Sequence, residues 1–280
     1  MTQWCNESQQ IQLSDGSCHV VIDGPADAQA ILLLHGATVP GWEFDRLVPY
    51  LVGAGFRTIR PDLFGHGSSD RPKAIYDMAL FDRQIDELMA ALSLQQPVHL
   101  LGHSLGGALC ARFAARHPLK VSRLILAAPL LNFRSTSAAL KLLDIPLLGE
   151  LLMLTYVLPM LQYRRTHRYR FIAGADFPEL FRAQVARPGF GRALLSLLRN
   201  GALADQTDAY RLLATQGIPS LVMRGDLDEI YSAEQHDQLF GLLPDARFAD
   251  IAGTTHSFLL TDPDLVAPTL IDFLHAPDLD

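Results

Sequence analysis

The chain has 280 residues, 49% of them hydrophobic and 19% charged, and carries a formal net charge of −7. This composition excludes intrinsic disorder, and the acidic balance excludes a nucleic-acid binder, which needs a basic stripe to displace counterions from phosphates. Three scattered cysteines, Cys5, Cys18 and Cys110, form neither a disulfide framework nor a metal knuckle.

The N-terminal stretch lacks the basic-then-apolar pattern of a secretory signal, so the cytoplasm is the expected compartment. Asn6-Glu7-Ser8 matches the glycosylation pattern and reads as a chance match in that setting. The most apolar stretch, Leu142 to Leu161, is interrupted by Asp144, Pro146, Glu150 and Pro159, which excludes a membrane span there.

Short apolar runs alternate with segments of helical period, the pattern of parallel strands joined by helices. Strands are predicted at Gln10–Leu13, His19–Ile22, Ala30–Leu34, Arg57–Pro61, Val98–Gly102, Arg123–Ala127, Ser220–Arg224 and Arg247–Ile251. Helices are predicted at Glu43–Gly53, Met78–Leu92, Leu105–Arg116, Ala233–Leu242 and Asp264–His275. Ile31 to Leu34 and Val98 to Leu101 are unbroken, as in strands covered by helices on both faces. Between residues 130 and 207 the alternation stops. A Leu-, Met- and Tyr-rich helical segment punctuated by Pro146, Pro159, Pro178 and Pro188 reads as a cap inserted after the sixth strand, with 1–129 and 208–280 forming the core domain.

Gly102-His103-Ser104-Leu105-Gly106 fits G-x-S-x-G between a predicted strand and a predicted helix. A serine on so tight a turn has its hydroxyl lifted clear of the sheet; glycines on either side let the turn close, and the helix N-terminus faces developing negative charge. Such a serine needs a base, and the base needs an acid. Asp226 and Asp228 follow the seventh predicted strand and His256 follows the eighth, giving the order Ser, Asp, His at one sheet edge. His35-Gly36-Ala37-Thr38 follows the third strand, where Gly36 is expected to permit an unusual turn that presents the Ala37 N–H. The Leu105 N–H is the second expected oxyanion donor.

With these pieces, and with Pro61-Asp62-Leu63-Phe64-Gly65-His66-Gly67-Ser68-Ser69-Asp70-Arg71-Pro72, Gly225 to Asp228 and Gly253-Thr254-Thr255-His256, the chain resembles the α/β-hydrolase fold superfamily in its capped, esterase- and lipase-like branch. The resemblance covers all but the cap. It implies an α/β architecture: a mostly parallel eight-stranded sheet, helices on both faces and a helical cap. It favours Asp228 over Asp226 as the acid, since the third residue past the glycine commonly points into the site in this family; Asp226 is then a solvated turn residue. Gly36, Thr38, His103, Leu130 and Leu152 are assigned as substrate contacts.

A serine at the nucleophile position favours hydrolysis of carboxylic esters through an acyl-enzyme intermediate, without metal or organic cofactor. The Leu- and Met-rich cap segment points to an apolar acyl or alcohol group, as in a monoacylglycerol. Rival readings are a C–C hydrolase of meta-cleavage dienone products, which Ser257 after the histidine disfavours, and a ligand receptor built on the same fold. The expected partner is a small-molecule ester. The basic run Arg164 to Arg170 has two candidate roles, contact with an anionic membrane surface or a solvated face, and the second is the expectation.

Overall fold

The computed structural model describes residues 7–133, 138–172 and 176–277. Cys5, Asn6 and parts of the predicted cap, 134–137 and 173–175, lie outside the described residues.

All eight predicted strands are present: β1 Glu7–Leu13, β2 Gly16–Asp23, β3 Ala30–Leu34, β4 Arg57–Pro61, β5 Val98–His103, β6 Val121–Ala127, β7 Ser220–Gly225 and β8 Arg247–Ile251. They form one sheet in the order β1-β2-β4-β3-β5-β6-β7-β8. β2 is antiparallel to both β1 and β4, and every other pairing is parallel. β1 starts earlier than its apolar pattern predicts because it is an edge strand, where Glu7, Ser8 and Gln10 face solvent and need no apolar signal. β3 and β5 are buried along their whole length.

The helices of the core are α1 Val48–Gly53, α2 Met78–Ala91 and α3 Leu105–Arg116. The predicted helix over Glu43–Gly53 is instead two pieces, a 3-10 turn at Gly41–Phe44 and then α1. Pro49 explains the break: proline lacks an N–H and clashes with the carbonyl four residues back, so it is tolerated only in a first turn. The structure therefore starts a new helix around it, which leaves Glu43 free of a regular helix and pointing inward.

Between β6 and β7 the described residues contain no strand. The chain there forms α4 Leu148–Leu152, a π turn Met153–Val157, α5 Leu158–Arg168, α6 Phe177–Ala186, α7 Phe190–Arg199 and α8 Thr207–Ala214. α8 packs beside α3, and its buried Tyr210 donates to the Leu130 carbonyl at 2.9 Å. α5 to α7 lie over loops that leave the carboxyl ends of the parallel strands. Phe177 meets Trp42 edge-on at 5.4 Å, the Gly67 N–H donates to Gln184, and Arg192 donates to the Arg71 and Pro72 carbonyls. A small apolar cluster of Val39, Tyr169, Phe177, Phe181 and Leu260 joins this helical segment to the loops below it. The chain closes with α9 Ala233–Leu242, α10 Phe258–Thr261 and α11 Pro263–His275. No described helix is long and apolar enough to cross a membrane.

Candidate active site

β5 ends at His103 and α3 begins at Leu105, leaving Ser104 alone in the turn with φ 53° and ψ −113°. A non-glycine residue at positive φ is costly and persists only where its surroundings fix it. The surroundings here are tight. A Cβ on Gly102 would sit 2.1 Å from the Gly106 carbonyl oxygen, and one on Gly106 would sit 1.9 Å from that of Leu34. Those glycines let the strand, turn and helix close on one another. The Ser104 N–H donates to Ala127 and its carbonyl accepts from Leu130, both at 2.9 Å, so the turn is held at both peptide groups. The Ser104 hydroxyl is half-buried and makes no hydrogen bond among the described residues.

His256 and Asp228, 28 positions apart, come together beside this turn, with Nδ1 2.8 Å from Oδ2. The His256 side chain is 7% exposed and that of Asp228 0%. Asp228 Oδ1 accepts the N–H groups of Ile230 and Tyr231 at 2.7 and 2.9 Å. Burial alone would raise the Asp228 carboxyl, but the hydrogen bond and charge of His256 and these two N–H groups bring it below its ordinary value. Burial is the main cause that lowers His256, aided by His103 and Arg165, and together they outweigh the upward pull of Asp228. The imidazole is thus held neutral near pH 7, with Nδ1–H directed at the carboxylate. Asp226 is exposed at the rim, where Oδ1 accepts the Thr254 N–H at 3.3 Å.

Ala37 and Leu105 are half-buried and buried respectively, and neither N–H has a protein acceptor among the described residues. The Ala37 carbonyl accepts from His66 Nε2 at 2.8 Å, which fixes that peptide unit from the loop after β4. Gly36 departs from expectation. It is not at positive φ, and a Cβ there would meet His103 and Ser104 at 3.4 and 3.5 Å, an ordinary contact. The loop is shaped instead by polar contacts. His35 Nδ1 donates to the Gly36 carbonyl at 2.7 Å and Nε2 accepts the Leu63 N–H at 2.9 Å, while the Gly36 N–H donates to Glu43 at 3.0 Å.

His103 is not placed as a substrate contact. It is buried, with Nδ1 against Glu43 and Nε2 donating to the His256 carbonyl, so neither nitrogen is open to a ligand. Thr38 is half-buried, Leu130 is in the main core with both peptide groups bonded, and Leu152 is half-buried against that core. The apolar residues of the α4–α5 segment divide between environments. Met153 and Leu158 are core, whereas Leu147, Leu151, Leu154 and Tyr156 are exposed.

The basic run is divided as well. Arg168 pairs with Glu229 at 3.1 Å. Arg165 instead turns inward, half-buried over the Tyr169 ring with Nη1 3.3 Å from the Ser257 hydroxyl, one residue beyond His256. Glu43 and Arg165 are the residues that sequence patterning misses. Glu43 lay inside a predicted helix, and Arg165 inside a charge run whose members are indistinguishable without three dimensions.

The family model for the alpha/beta hydrolase fold matches residues 29–153, spanning β3, the Ser104 turn and β6. An uncharacterized protein of Mycobacterium tuberculosis is 29% identical over 248 residues, covering 84% of this chain and 72% of its own length. A non-heme chloroperoxidase of Streptomyces lividans is 27% identical over 279 residues, covering 94% of this chain and 98% of the relative. Among solved structures, an enol-lactonase from Burkholderia xenovorans superposes with a TM-score of 0.80 at 20% identity over 96% of this chain and all of that one. The chain has the fold of the alpha/beta hydrolase superfamily. The eight-stranded sheet, with its single antiparallel end, is the sheet of that superfamily.

Proposed function

We propose that this chain is a serine hydrolase of carboxylic esters with an apolar acyl or alcohol group, and that residues 130–207 act as its cap. The observation that carries the reading is the buried 2.8 Å contact of His256 with Asp228 beside a serine held at φ 53°. Ser104 Oγ attacks the ester carbonyl carbon while His256 Nε2 takes the hydroxyl proton. Asp228 keeps the proton on Nδ1 and balances the imidazolium that forms. The carbonyl oxygen, now an oxyanion, is met by the N–H groups of Ala37 and Leu105 and by the positive end of the twelve-residue helix α3.

The C–O bond then breaks, His256 returns its proton to the departing alcohol, and the acyl group stays on Ser104. Water attacks that acyl carbon, again losing a proton to His256, and the acid leaves as the Ser104 hydroxyl is restored. Leu152 and Val157, half-buried apolar side chains of the cap segment, support an apolar substrate.

A panel of p-nitrophenyl esters from acetate to palmitate tests the reading. The wild type turns over many equivalents, a fluorophosphonate labels Ser104, and Ser104→Ala loses more than nine-tenths of activity with an unchanged circular dichroism spectrum. Retention of a tenth or more of the rate by that variant overturns it.

A further inference from the structure

The hydrolytic cycle makes no use of a second buried acid–imidazole pair that lies directly under the nucleophile turn. Glu43 comes from the 3-10 turn after the β3 loop, and His103 is the last residue of β5. Their side chains are 2% and 3% exposed, with Oε1 and Nδ1 2.8 Å apart. Each partner spends its remaining polar atom on a peptide group of the candidate site. Glu43 Oε2 accepts the N–H of Gly36, which precedes the oxyanion donor Ala37. His103 Nε2 meets the carbonyl oxygen of His256 at 2.8 Å.

The protonation state follows from the partners. A carbonyl oxygen only accepts, so Nε2 carries a hydrogen. Nδ1 lies 2.8 Å from the carboxyl oxygen Oε1, a separation that favours a charged, doubly protonated ring over one with a lone pair on Nδ1. Burial disfavours charge on both groups, yet each partner's charge reverses that effect on the other: His103 is raised and Glu43 lowered from their ordinary values. The Nδ1 contact is bent away from the ring N–H direction, so charge attraction rather than a linear hydrogen bond carries it. The other titratable groups around the pair are His35, which is neutral, and Asp228 and His256 of the site itself.

We propose that Glu43 and His103 form a buried carboxylate–imidazolium pair that positions the site, fixing the Gly36–Ala37 donor loop at one end and the main chain of His256 at the other. The proposal rests on the serine-hydrolase reading for its kinetic consequence, but the ion pair is observable without it. A hydrophobic pair of equal volume would fill the same space. It would not orient two peptide groups on opposite sides of the nucleophile, and orientation errors of an ångström are costly to rate.

The test joins ring-nitrogen NMR with kinetics. In protein carrying ¹⁵N-labelled histidine, His103, assigned by its loss in His103→Asn, shows two protonated nitrogens at pH 8, where an ordinary histidine is neutral. In Glu43→Gln it becomes a neutral tautomer with one N–H. On a p-nitrophenyl ester, Glu43→Gln lowers kcat about tenfold or more with KM changed less than about twofold, and slows fluorophosphonate labelling of Ser104 in parallel. Glu43→Asp recovers part of the loss. Should Glu43→Gln fail to fold, the double variant Glu43→Gln with His103→Asn removes both charges, and it is expected to fold and to be as slow.

A single protonated nitrogen on His103 in the wild type at pH 8 overturns the proposal, as does wild-type kcat in Glu43→Gln or in the double variant. If the wild type shows no serine-dependent ester turnover, the functional reading fails and the NMR spectrum alone decides the pair.

Discussion

Asp228 divides its two oxygens between His256 and the chain that follows it: Oδ2 holds the imidazole Nδ1 at 2.8 Å, and Oδ1 takes the Ile230 and Tyr231 N–H groups. The carboxylate is therefore fixed before any substrate arrives. An amide at this position can donate as well as accept, so it can turn its NH2 toward Nδ1 and force the proton onto Nε2, the atom that must act as base. Asp228→Asn is expected to lower kcat by about 10³–10⁴-fold, as loss of the correct tautomer does in the serine-protease triad. Asp226→Asn, at an exposed rim position with a single long contact, is expected to change it less than about threefold. Steady-state kinetics on the two variants gives the ranking, and the reverse order would move the acid to Asp226.

The Ser104 turn closes because Gly106 brings the first turn of α3 against the end of β3. A methyl group on Gly106 would lie 1.9 Å from the Leu34 carbonyl oxygen, which is backbone and cannot swing aside. Gly106→Ala is expected to destabilise the fold by about 2–4 kcal/mol through overpacking, read as a lowered midpoint in urea unfolding. Gly241→Ala, where nothing lies within 4 Å, is the matched control and is expected to be neutral or slightly stabilising.

Strands and nucleophile were legible because each carries a local signal. Buried strands such as Ile31 to Leu34 read as unbroken apolar runs, and the Ser104 turn needs glycines at fixed offsets. His256 and Asp228 were legible through chain order and their place after strands. What was not legible depends on contacts between distant segments. Whether Glu43 lies in a helix is decided by Pro49, and its role by His103, sixty residues on. Gly36 was read as a backbone device, yet the loop around it is held by His35, Glu43 and His66, whose partners no local pattern specifies. Arg165 differs from Arg164 and Arg168 only in the face of α5 on which it falls.

The inward placement of Arg165 bears on the base. Its charge acts on His256 in the direction that lowers the imidazole, alongside burial and His103 and against Asp228. Because His256 must be neutral to accept a proton, the acid limb of kcat/KM is expected below pH 6.5. Removing the cation relieves part of the lowering, so in Arg165→Gln the limb moves to higher pH. At pH 6 the variant then loses more activity relative to wild type than at pH 8. A pH–rate profile from 4.5 to 9 checks both directions, and an unmoved limb would show that the guanidinium does not act on the base.

His66 supplies a stability prediction of known sign. Burial lowers it from 6.5 to about 4, helped by His35 and opposed by its bonds to the Ala37 and Phe64 carbonyls and by Asp62. In the unfolded chain it titrates near 6.5, so between that pH and about 4 the unfolded state binds the extra proton. Stability from this group is therefore intact above pH 6.5 and is lost as pH falls toward 4, by up to about 3 kcal/mol. The carboxyl of nearby Asp62, held down to about 2, contributes only below this window. Urea unfolding at pH 7.5 and pH 4.5 is expected to show a larger drop for the wild type than for His66→Gln, which keeps a donor for the Ala37 carbonyl but does not titrate. Equal drops in the two proteins would mean that His66 is protonated in the folded state, and the Ala37 donor loop would then be carrying a charge beside it.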